Sequence, residues 1–106
     1  MLSRDFQASY DLPADAVYLA LVRAGPALGW KVKERADVAR RAKFGTPGSV
    51  LSWGEVVAAS VDTAGSGAIL RLRSGPRLPG NLGAVLRHRA NFRKLLAAID
   101  RHLPAG

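Results

Sequence analysis

The sequence contains no cysteine, which removes disulfides, thiolate nucleophiles and zinc–sulfur sites together. Acidic residues are scarce, 8 against 16 lysines and arginines. No apolar run approaches the roughly 20 residues that a membrane-spanning helix needs, and the opening MLSRDFQASYDL lacks the apolar stretch of a signal peptide. The two histidines, His88 and His102, have no carboxylate pair near them in the chain, so metal-ligand spacing is missing. No serine sits in a Gly-X-Ser-X-Gly setting and no glycine-rich loop precedes a helix. These absences set the expectation of a soluble, cytoplasmic, non-enzymatic protein without metal or cofactor.

What is present is basic charge, unevenly spread. Residues 1–30 carry Arg4 and Arg23 against Asp5, Asp11 and Asp15, a net −1, whereas residues 63–106 carry eight basic groups against Asp100 alone, a net +7. Such asymmetry suits an anionic partner, nucleic acid or another polyanion first and a phospholipid surface after it. The competing reading is compositional, since most of the charge is arginine in a chain rich in alanine, glycine and leucine.

A length of 106 residues allows one domain, 1–106, with a single modest core. Its last third organises it. Leu82, Val85, Leu86, Phe92, Leu95, Leu96, Ile99 and Leu103 recur at helical spacing, so a helix over 81–103 needs a surface to cover its apolar face. Upstream, Phe6, Ala8, Tyr10 and Leu12 alternate with polar residues as in a half-buried strand. Pro13 suits a helix start, and a helix to about Leu28 buries Val17, Ala20, Leu21, Ala24 and Leu28, with a kink expected at Gly25-Pro26 and a cap at Gly29. Residues 30–44 alternate apolar and basic as a second strand, with a break expected near 34–37. Turns at 45–49 and 64–67 bracket a third strand over 51–62, and a fourth follows over 68–74. The expected class is α+β: a four-stranded antiparallel sheet in the order β-α-β-β-β-α, with two helices packed on one face.

Register follows from keeping apolar residues together. Pairing Thr63 with Ala68 sets Val61 opposite Leu70, Ala59 opposite Leu72 and Val57 opposite Ser74, whereas a one-residue slip would drive Arg71 and Arg73 into the core. The preceding hairpin, treated alike, sets Val38 opposite Val57, Ala42 opposite Trp53 and Arg40 opposite Glu55. The open face then collects Lys33, Arg35, Arg41, Lys43, Arg71 and Arg73 over a floor of Ala39, Gly54, Val56, Ala58 and Ser60.

Gly29-Trp30 after the first helix, Ser-Trp-Gly-Glu at 52–55, Arg-Ser-Gly at 73–75 and Asn91 on the last helix resemble a group of short bacterial domains. Their βαβββα arrangement is similar to the TBP-like or helix-grip class of folds. The resemblance implies a fold and brings no catalytic or binding residue with it.

Three surfaces are candidates for function. The basic open face, extended by Arg77, Arg87 and Arg89, suits nucleic acid or another anion, because arginines over small residues let a phosphate backbone approach. It lacks the aromatic residues on which sheet proteins stack bases, so a merely solvated face is the alternative. A cleft between sheet and last helix, lined by Tyr10, Trp30, Trp53, Leu72 and Phe92, suits a hydrophobic, lipid-like ligand; the alternative is that these residues fill the core. An exposed edge strand offers a route to a homo-oligomer, and the fold also suits a protein-interaction domain. Arg40 and Glu55 are expected as an ion pair rather than an acid–base couple, since a neighbouring guanidinium lowers a carboxyl pKa.

Overall fold

A computed structural model describes residues 4–47, 55–76 and 84–104, with side chains described for 5–47, 56–73 and 90–104. The order is β1 (Arg4–Tyr10), α1 (Ala14–Ala27), β2 (Lys31–Ala36), β3 (Arg41–Gly45), β4 (Glu55–Ala64), β5 (Gly67–Pro76) and α2 (Ala84–His102). The α+β class and the antiparallel sheet stand, but the sheet has five strands, not four, ordered β1-β5-β4-β3-β2. The difference lies in residues 31–45. The expected single strand is a hairpin, folded back at residues 37–40.

Helix α1 begins where the Pro13 carbonyl accepts from the amides of Ala16 and Val17, at 3.0 and 3.1 Å. Pro26 sits inside its last turn, where it donates nothing, yet the helix continues through Ala27. The end is a Schellman closure: the Gly29 amide donates to Pro26 at 2.9 Å and the Trp30 amide to Gly25 at 3.0 Å. Gly29 supplies the left-handed φ of 80° that this closure requires. The closure delivers Trp30 into the core, 6.3 Å from the Phe44 ring.

The β4–β5 hairpin has the expected register, with Thr63 opposite Ala68, Val61 opposite Leu70, Ala59 opposite Leu72 and Val57 opposite Ser74. Val57, Ala59, Val61, Ala68, Leu70 and Leu72 are therefore buried under the helices, while Arg71 and Arg73 stay in water. The β3–β4 register is different from the expected one. Ala42 faces Ala59 rather than Trp53, and Phe44, not Val38, faces Val57. Val38 sits at the hairpin tip, 99% exposed. Arg40 does not meet Glu55: it adopts a left-handed φ of 55°, and its side chain reaches Asp15 of α1 at 3.0 Å and the Val61 carbonyl at 3.3 Å. Those contacts offset the cost of about 1 kcal/mol that a residue with a Cβ incurs there.

One core joins the helices to the sheet. Val17, Leu21 and Ala24 of α1 and Leu95, Ala98 and Ile99 of α2 meet Phe44, Val57, Val61, Leu70 and Leu72. Helix α2 leans mostly on α1, and touches β5 and β1 beyond it. The exposed edge strand β2 carries Lys31, Lys33, Glu34 and Arg35 together with a bulge, features that blunt an edge against pairing with a second chain. No helix among the described residues is long and apolar enough to cross a membrane.

Candidate functional site

The open face is a grid set by register. One cross-strand row runs Asp5, Arg73, Ala58, Lys43 and Glu34, from β1 to β2. The next runs Gln7, Arg71, Ser60, Arg41 and Ala36. Arg41, Lys43, Arg71 and Arg73 are thus brought together on the open side as the alternation requires, around the small residues Ala58 and Ser60. They border a depression of about 590 Å³, to which Asp5, Gln7, Ala58 and Ser60 also contribute.

Two expected members of the cluster lie elsewhere. The β2 bulge falls between Val32 and Glu34, so Lys33 is registered opposite no residue of β3, and Arg35 comes opposite Ala42 on the helix side. An extra residue reverses the alternation after it. Arg35 instead grips Asp37 through two bonds of 3.0 and 3.1 Å. The expected floor also shrinks, since Ala39 belongs to the turn at 37–40. Gly54, Trp53 and Arg77, with the side chains of Glu55, Arg87 and Arg89, lie outside the described residues.

The face is less cationic than its arginines suggest. Arg73 bonds Asp5 at 2.8 Å, Arg71 bonds Asp62 at 2.8 Å, and Lys43 lies 3.6 Å from Glu34. The Asp5 carboxylate holds the Arg73 guanidinium more firmly protonated than usual. Among the described residues, Arg41 makes no ion pair on this face. Sequence reasoning missed these carboxylates for two reasons. Asp5 and Arg73 stand 68 positions apart and meet only because β1 lies beside β5. Glu34 reaches the open side only through the bulge.

The second surface is the seam between β1 and α2. Phe6 stacks against Phe92 with ring centres 5.5 Å apart, and further along β1 the Asp100 carboxylate and burial both raise the Tyr10 pKa, burial the more. Phe6 to Tyr10 spans about 14 Å of strand and Phe92 to Asp100 about 12 Å of helix, so the two elements run side by side in the same direction. Phe6, Tyr10, Leu12, Leu96 and Leu103 are partly buried against the core along this line. Of the expected cleft residues, Trp30, Leu72 and Phe92 are buried core. Tyr10 is half-buried at the seam.

No protein-family model matches the sequence, and no curated protein matches it. Solved structures do. The chain superposes on Ara h 8.0201 with a TM-score of 0.70 at 9% identity, covering 94% of this chain and 95% of that one. The fold resembles the helix-grip class. A protein from Nitrosospira multiformis gives 0.67 at 12% identity, covering 97% of each chain. The Zhui aromatase/cyclase of Streptomyces sp. R1128 gives 0.56 at 11%, covering 97% of this chain and 96% of that one. At such identities the likeness speaks for the helix-grip arrangement of sheet and long C-terminal helix, and for the fold alone.

Proposed function

We propose that the protein binds a small hydrophobic ligand at the seam between β1 and α2, without chemistry of its own. The observation that carries this reading is the line of half-buried side chains flanking the Phe6–Phe92 contact, Tyr10, Leu12 and Leu96 among them. Apolar surface left partly exposed along the margin of a core costs free energy in water, and a ligand that covers it recovers about 25 cal/mol per Å². The half-buried Tyr10, whose hydroxyl is held protonated by burial first and by the charge of Asp100 second, gives the seam one polar group, and mostly apolar sites orient a ligand by a few such groups. The helix-grip likeness supports the reading, since a long helix against a curved sheet is suited to enclosing apolar material. One of the solved neighbours is, by its name, an aromatase/cyclase.

Neutral probes test it, because they are indifferent to the basic face. Decanol and 1-naphthol at fixed salt should raise the melting temperature by several degrees at saturating concentration. Leu96→Gln, a change at a half-buried position, should abolish the rise while leaving the protein folded. Probes that leave the melting temperature unchanged, or stabilise both forms equally, would remove the seam as the site.

A further inference from the structure

The depression on the opposite side of the sheet has its own chemistry. Its volume, about 590 Å³, lies in the range of small-molecule sites. Its rim charges are largely answered from within the protein: Arg73 by Asp5, Arg71 by Asp62 and Lys43 by Glu34. Arg41 is the cation on this rim for which no ion pair is seen among the described residues. Arg41 and Arg71 flank Ser60 in one cross-strand row, with Gln7 beyond Arg71. At a strand spacing of about 4.8 Å their backbones stand about 10 Å apart, within reach for two guanidinium groups to converge above the Ser60 hydroxyl.

We infer that this depression is a site for a small organic monoanion, its carboxylate held by Arg41 with help from Ser60 and Arg71, and its flat apolar body lying over Ala58. Net charge decides the class of ligand. With three of four cations compensated, the surface offers one uncompensated positive charge, which balances one carboxylate and opposes none. A nucleic acid would bring several phosphates to the same area and meet the carboxylates of Asp5, Glu34 and Asp62 as well. The small residues at 58 and 60 leave the sheet backbone accessible to a planar group, as a bulky residue would not.

Titration calorimetry with 1-naphthoate, its neutral methyl ester and a single-stranded oligonucleotide tests the assignment. In the Leu96→Gln protein, whose seam no longer takes neutral probes, naphthoate should bind, the ester should bind at least about tenfold more weakly, and adding Arg41→Gln should weaken naphthoate by a similar factor. Leu96→Gln, on the other side of the sheet, should leave naphthoate binding unchanged, which separates this site from the seam. Equal binding of acid and ester, or full retention of binding in Arg41→Gln, would overturn the assignment. So would oligonucleotide binding that depends on Arg41 and falls steeply with salt, which would mark a polyanion surface instead.

Discussion

The buried Tyr18 of α1 holds the tip of the β2–β3 hairpin through Asp37, its hydroxyl 2.7 Å from the carboxylate and 3.1 Å from the Arg41 carbonyl. The closer and charged acceptor takes the proton. Asp37 also accepts two bonds from Arg35, so one carboxylate ties helix, turn and edge strand together. Arg41, the first residue of β3, follows directly on the turn that these residues hold.

Asp37 makes this tie pH-dependent. Hydrogen bonds from Arg35 first, and then from Tyr18, hold its carboxyl below the ordinary carboxylate range. A group with a depressed folded pKa contributes its full stability above the unfolded value, near 3.9, and loses it as the pH falls through the folded value. Melting temperatures measured between about pH 5 and pH 2 should therefore fall more steeply for the native protein than for Asp37→Asn. Tyr18→Phe should cost about 1 to 2 kcal/mol at neutral pH by denaturant unfolding.

Gly25 has no room for a side chain. A Cβ there would overlap Cε1 of the Phe44 ring and lie 2.6 Å from Cδ1, and Phe44 is fully buried. Alanine usually favours a helix interior, but Gly25→Ala should destabilise by about 1 to 3 kcal/mol because the core must give way. Adding Phe44→Leu should recover part of that loss in urea unfolding. Additive costs in the double variant would show that the two positions do not collide.

Removing the compensating carboxylates should change what the open face binds. The triple variant Asp5→Asn, Glu34→Gln, Asp62→Asn frees three cations at once. Single-stranded oligonucleotide affinity should rise, and the slope of log K against log salt should steepen by about 2, at roughly 0.7 per added phosphate contact. An unchanged slope would mean that the internal pairs do not restrain these side chains.

The Phe6–Phe92 contact should matter to stability as well as to binding. Phe92 is 7% exposed, so Phe92→Ala should cost about 3 kcal/mol or more. Phe6→Leu keeps most of the apolar volume and should cost about 1 kcal/mol, the value of the aromatic pairing itself. Equilibrium unfolding of both variants checks the order.

The sequence by itself determined what short-range rules can reach. A four-residue turn at 64–67 and strict alternation together fixed the pairing of β4 with β5: a one-residue slip would bury Arg71 and Arg73, and the short turn leaves no room for a longer one. Pro13 and Gly29 marked the limits of α1, since the start and the left-handed close of a helix are local chemistry. Tertiary structure decided the rest. Ala42 was expected opposite Trp53 and stands opposite Ala59, a slip of six that keeps the alternation; β3 ends at Gly45 and β4 begins at Glu55, and over so long a separation in sequence alternation alone allows every second register. The bulge that sends Arg35 to the helix side and Glu34 to the open side lies between Val32 and Glu34, where charged residues run on from 33 to 35 and no apolar residue gives a sign of it. Whether Arg73 stands free or paired depended on β1 lying beside β5, a neighbourhood that sets Phe6 opposite Leu72 and that no residue's own preference reveals.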